Sequence, residues 1–175
     1  MKIKEVTLVT DFGMATYKTG KEKDPSLMSL NPLGNRLFKI ANNYDYVKIK
    51  TGEAVYEYWF YKGFVTNFRS GGILVDAFID PIGNQLHQLC WLIHDANYTP
   101  CDNVKVRGIK INKSAHPMSK TSADELLQAM LVFAGTSPWK ASVVKTSVAW
   151  FGKSAYYKDD ELTPKNRKLF EFNRI

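Results

Sequence analysis

The sequence predicts an α+β fold, in which a small antiparallel β-sheet from the N-terminal half packs with about three α-helices from the C-terminal half. Two observations carry this expectation. Apolar residues alternate with polar ones in segments up to Tyr61, the period of half-buried strands, and from Asn84 onward the apolar spacing changes to that of helices. Strands first and helices later argue for segregated elements rather than an alternating parallel sheet.

Lys2 to Thr10 alternates around Ile3, Val6, Leu8 and Val9. Tyr46 to Lys50 does the same, Thr51-Gly52-Glu53 reads as a turn, and Ala54 to Tyr61 is dense in β-branched and aromatic residues. These last two runs form a hairpin. Thr19 to Asn35, rich in Gly, Pro, Asp, Ser and Asn, reads as a long polar connection. In the second half, Leu86, Leu89, Cys90 and Ile93 make a helical stripe between Asn84 and Asn97. A second helix opens at Ser119, carries Leu126, Leu127, Met130, Leu131 and Phe133, and ends at Gly135. A third starts at Ser137-Pro138 and stops at Gly152. Trp139, Trp150 and Phe151 on that helix read as packing residues. The expected organisation is a single domain over 1–175, with 153–175 a charged, aromatic, peripheral tail.

Composition narrows the function classes. The chain has 175 residues, 45% of them hydrophobic and 23% charged, which suits a folded domain with a real core. No stretch approaches the roughly 18 apolar residues of a membrane span, and the first residues lack a signal-peptide core. The formal charge of +7 is spread over scattered lysines and arginines without a run of five or six, so it reads as a solvated basic surface. Nucleic acid is a partner only if those lysines converge on one face. Cys90 reads as a small core residue. Cys101 follows Pro100 in a loop, and a bridge between the two stays open.

The residues with chemistry to offer centre on His94 and Asp95, near the end of the first long helix. Histidine is the side chain best suited to proton transfer near neutral pH. Neighbours on a helix diverge by about 100°, so the two side chains do not share a face. One of them can point to a groove between helices while the other points along its rim, where a carboxylate such as Asp95 can hold a hard cation such as calcium or join a metal shell beside the imidazole. Tyr98, at i+4 from His94, faces the same groove. Asp124 opens the next helix and, if the two helices are antiparallel, reaches His94 and orients its imidazole. The plain alternative is a helix-end histidine beside a solvated carboxylate. His87 lies two turns away and reads as structural, and His116 has no evident partner in its loop. Zinc is the weaker metal, since neither His-Glu-x-x-His nor Cys-x-x-Cys occurs. A second constellation is Gly63 to Gly72. There Asn67, Arg69 and Ser70 precede Gly71-Gly72, which permits close backbone approach to a ligand. An ordinary turn is the alternative.

Gly63-Phe64-Val65-Thr66-Asn67-Phe68-Arg69-Ser70, Ile93-His94-Asp95-Ala96-Asn97-Tyr98, Ser122-Ala123-Asp124, Trp139-Lys140-Ala141 and Phe151-Gly152 occur in this order. The ordered set resembles a phage and prophage family of unknown function, DUF1353, over about Val47 to Gly152. The resemblance implies a bacteriophage origin, with the host cytoplasm or the virion as location and a phage or host protein as partner. It departs at Asn67, where the family pattern has Asp, and at Gly71-Gly72. An amide at 67 neither carries charge nor accepts a proton. The His-Asp-x-x-Tyr helix is also similar to the active-site helix of secreted phospholipases A2. That local similarity implies His94 as the base acting on water, Asp95 as the calcium ligand and Asp124 as the group that orients His94. Tyr98 would support Asp124, with Gly71-Gly72 carbonyls at the cation. Two functions follow as expectations: a phage hydrolase, or a non-catalytic phage protein serving as virion component or inhibitor of a host defence factor.

Overall fold

The computed structural model describes residues 1–23, 26–34, 37–66, 84–157 and 163–175. The fold is α+β, and its sheet is larger than the sequence suggests. Seven strands form one mixed sheet and three form a second. In chain order the strands are β1 (Ile3–Thr10), β2 (Gly13–Tyr17), β3 (Leu30–Gly34), β4 (Leu37–Ile40), β5 (Tyr44–Thr51), β6 (Val55–Tyr61), β7 (Val65–Thr66), β8 (Val104–Val106), β9 (Ile109–Lys110) and β10 (Phe170–Arg174). The helices among the described residues are α1 (Gln85–Tyr98), α2 (Lys120–Phe133), α3 (Pro138–Phe151) and the short α4 (Lys153–Tyr157) and α5 (Thr163–Asn166).

The large sheet runs β2-β1-β5-β6-β10-β8-β9. All its pairs are antiparallel except β10 with β8. The hairpin of β5 and β6 forms where the alternation places it, closed by the Thr51 hydroxyl, which accepts from the Glu53 and Ala54 amides. The 153–175 segment is not a peripheral tail. Its last strand sits inside the sheet, with Phe170 opposite Phe60 and Phe172 opposite Tyr58, all four buried. The rings of Phe60, Phe64 and Phe170 meet at 5.1–6.1 Å between centroids. Five residues of FEFNR hold only two apolar positions, too short a run to stand out beside so many charges.

Helix α1 is the hub. Asn84 caps it by accepting from the His87 amide, and eleven of its fourteen residues are buried, far more than one stripe. Both sides of α1 are covered. Tyr58 of β6 donates to Asn97, and Gln85 donates to Tyr17 of β2. Across the other face lies α2, capped by Ser119 and closed by Gly135 at φ +96°. Two contacts show that α1 and α2 are antiparallel: His94 near one end meets Asp124, while His87 near the other meets Thr136. Trp139, Trp150 and Phe151 do not pack in the core. They are 58%, 76% and 60% exposed, and α3 buries Ala141, Val144 and Val148 instead. Cys90 and Cys101 are both buried and free, so no bridge joins them.

The connection after β2 is more ordered than its composition suggests. It contributes β3 to the second sheet, and Gly20, at φ +73°, lies against the end of α2. A Cβ there would fall 1.7 Å from the Phe133 carbonyl oxygen. Gly20→Ala is therefore expected to cost on the order of 2–4 kcal/mol in a urea-unfolding measurement. A loss within error of zero would contradict this packing.

A buried acid sits on the inner face of β5. Asp45 is fully buried, with one carboxyl oxygen accepting from Asn42 at 2.6 Å and the other without a partner among the described residues. Burial pushes its pKa from 3.8 up to about 6, against the lowering effect of Asn42 and with help from the charge of Asp11. The folded state then binds the proton more tightly than the unfolded chain. This group's stabilisation is complete below about pH 4 and is lost as pH rises through about 6. Asp45→Asn should remove a fall of roughly 3 kcal/mol over that window, read from urea midpoints at several pH values.

Candidate active site

The site lies where the last turn of α1 meets the first turn of α2. Helical spacing brings His94 and Tyr98 onto one face of α1, with rings 4.2 Å apart. Asp124, one turn into α2, points back at both. Its Oδ1 accepts from the Tyr98 hydroxyl at 2.6 Å and contacts His94 Nε2 at 3.2 Å. Its Oδ2 accepts from Lys120 Nζ at 2.7 Å. His94 and Asp124 are buried, with side chains 0% and 4% exposed.

Burial on its own would raise the Asp124 pKa. The hydrogen bonds from His94, Lys120 and Tyr98 outweigh it and hold the carboxyl below its ordinary value. Asp124 is thus an acceptor only. Burial and the Asp124 carboxylate push the Tyr98 phenol upward, so it stays a donor. The tautomer of His94 follows. Nε2 must carry the hydrogen that faces the carboxylate, and in a neutral ring Nδ1 then bears the lone pair. Nδ1 is buried and has no hydrogen-bond partner among the described residues.

Lys120 was not among the residues singled out from the sequence, though its i,i+4 spacing to Asp124 is a readable signal. Besides Asp124, its ammonium donates to the Val148 and Ala149 carbonyls at 3.1 and 3.2 Å, tying the end of α3 to the site. Gly152 is needed there for space rather than for its backbone angle, since a Cβ would stand 2.9 Å from two atoms of the Tyr98 ring and hydroxyl. His116 has partners after all. It stacks on Tyr156 at 4.0 Å, and Tyr156 packs edge-on to Tyr98. His87 stands apart from the site, 3.2 Å from Thr136.

Asp95 turns away from His94, as the 100° step requires, and accepts from the Thr66 hydroxyl of β7. It is half-buried. Asn166 of α5 fixes β7 by accepting from the Val65 amide and donating to the Val65 carbonyl. Asn67, Ser70, Gly71 and Gly72, the other expected members, lie outside the described residues. Among the described residues no group of three or more His, Cys, Asp or Glu is arranged to hold a metal. The Asp95 carboxylate and Thr66 hydroxyl are the oxygen donors that meet there among the described residues, two of the six to eight that calcium takes.

No family model, curated protein or solved structure matches this chain. The likeness to the phage family therefore rests on the ordered motifs alone.

Removing the carboxylate tests the network. Asp124→Ala strands Lys120, Tyr98 and His94 together and should cost about 3–5 kcal/mol. The Asp124 contribution to the pH dependence has the opposite sign to that of Asp45. The lowered pKa of Asp124 means its stabilisation is present above the unfolded carboxyl value and is lost as acid titrates the folded group. Denaturant midpoints of parent and variant should converge at low pH. Parallel curves down to the acid transition would show that Asp124 is not the ionised acceptor.

Proposed function

We propose that the chain is a phage-encoded hydrolase in which His94 is the general base of a His-Asp site in the groove between α1 and α2. The observation that carries this reading is the division of labour on the imidazole. Nε2 faces the hydrogen-bonded Asp124, whose carboxyl is held below its ordinary value, while Nδ1 has no hydrogen-bond partner among the described residues. That is the state a base needs before it takes a proton from water.

In this reaction the water oxygen attacks the acyl carbon of an ester and its proton passes to Nδ1. Asp124 stabilises the imidazolium that forms. The proton then leaves on the departing alcohol, so the ring returns to its starting state. Tyr98 and Lys120 are positioning residues, since both hold Asp124 and neither hydrogen-bonds Nδ1. Lys120 also neutralises part of the Asp124 charge, which tempers the imidazolium stabilisation. Calcium or another divalent cation at Asp95 belongs to the reading through the phospholipase likeness, and no step above depends on it. The implied locations are the host cytoplasm or the virion. Among the described residues no helix is long and apolar enough to cross a membrane.

One observation favours the second reading, a non-catalytic phage virion component or an inhibitor of a host defence factor. The His94 side chain is wholly buried, as befits a structural knot. The test is turnover of carboxylic-ester and phospholipid substrates by the purified chain, with calcium and with chelator. Under the hydrolase reading His94→Gln lowers kcat by about 10²–10⁴-fold with the fold intact by circular dichroism. Absence of turnover in the parent, or equal turnover in the variant, would overturn it and leave the second reading.

A further inference from the structure

Helix α3 presents an apolar stripe on the side away from the core. Trp139, Val143, Thr146 and Trp150 recur at i, i+4, i+7 and i+11, within an arc of about 60° around the helix and roughly 16 Å along it. The buried residues Ala141, Val144 and Val148 occupy the opposite arc. Trp139 is 58% and Trp150 76% exposed, and Phe151 beside the stripe is 60% exposed. At the Trp150 end is a hollow of about 370 Å³ lined by Ser142, Val143, Thr146, Ser147, Trp150 and Phe151.

The charged side chains on the stripe's own helix and on the short helix after it have one sign. Lys140 and Lys145 lie on its two flanks, Lys153 follows at its end, and α3 and α4 contain no carboxylate. Lys145 reaches Glu125 of α2 at 3.8 Å, and Lys140 lies over the Trp139 ring at 5.8 Å. The next acidic residues in sequence, Asp159, Asp160 and Glu161, lie outside the described residues.

We infer that this face docks on an anionic lipid bilayer. Tryptophan, with an apolar body and a donor N–H, is the side chain that prefers the membrane–water boundary. A helix with aromatic residues on one face and lysines on the flanks lies in that boundary, its apolar side sunk among the acyl chains and its ammonium groups against phosphates. The same charge disfavours a second copy of the chain. Two such stripes face to face would bring like-charged lysines together with no carboxylate of the helix to answer them. The docking face ends at the turn that Lys120 and Tyr98 hold through the Val148 and Ala149 carbonyls and Gly152. The inference rests on the surface and stands whether or not His94 turns over a substrate.

Flotation of the full chain with phosphatidylglycerol vesicles and with phosphatidylcholine vesicles tests it. The parent is expected to float with the anionic vesicles, to bind the zwitterionic ones more weakly, and to be released by salt. Trp150→Ser with Phe151→Ser, both at exposed positions, should weaken binding by at least about tenfold with unchanged circular dichroism. Lys140→Glu should weaken binding to the anionic vesicles alone. Absence of binding to anionic vesicles would overturn the inference. So would full binding by the double variant, or a dimer in sedimentation that the double variant dissociates, which would assign the stripe to a second copy.

Discussion

A carboxylate withdrawn from water has to be answered by donors, and at Asp124 three side chains answer it. His94 and Tyr98 come from one helix, and Lys120 comes from the turn before it on its own helix. Two of these donors are also committed elsewhere. Tyr98 fills the space over Gly152, and Lys120 reaches two carbonyls at the end of α3. Three helices are therefore held to one another at a single buried charge. Such a charge costs several kcal/mol to desolvate, so its value is greatest where it dictates one arrangement among many apolar ones. Leucine and valine contacts along α1 and α2 would tolerate a slide of one turn, whereas this carboxylate would not.

The same burial sets the terms for chemistry. A dry environment strengthens the hold of Asp124 on the imidazole and keeps the ring in one tautomer. It also removes His94 from solvent, so a reacting group must reach Nδ1 through the protein. Asp95, one residue on, belongs to a different neighbourhood, joined to the second sheet through Thr66 and thence to Asn166. A single helical turn thus serves two surfaces, one facing α2 and one facing β7.

Much of this was legible in the sequence wherever the cause is local. The β5–β6 hairpin follows from alternation around a Thr-Gly turn. The helix ends follow from Asn84, Ser119, Pro138 and Gly135. His94, Tyr98 and Asp124 were readable as one site because i,i+4 spacing and a polar-to-apolar boundary are local facts, and Lys120 could have been added on the same grounds. What escaped depends on distant partners. Strand β10 pairs with residues more than a hundred positions earlier, and nothing in Phe170–Arg174 names them. The Thr66 partner of Asp95 is hidden in the same way. Trp139 and Trp150 show a subtler limit. Periodicity finds a face of a helix but does not say whether the core or the solvent lies beyond it, and here the larger side chains face outward.

The place of β10 also orders events in time. It stands between β6 and β8, so among the described strands the β8–β9 pair joins the large sheet through it. During synthesis from the N-terminus, β2, β1, β5 and β6 can assemble early, but the β6 edge then waits with its amides and carbonyls open until residues 170–174 emerge. Closure needs a loop of more than a hundred residues to come together, which places this fold among the slower ones. The interval between those two moments is when the chain is most exposed to pairing with the wrong strand.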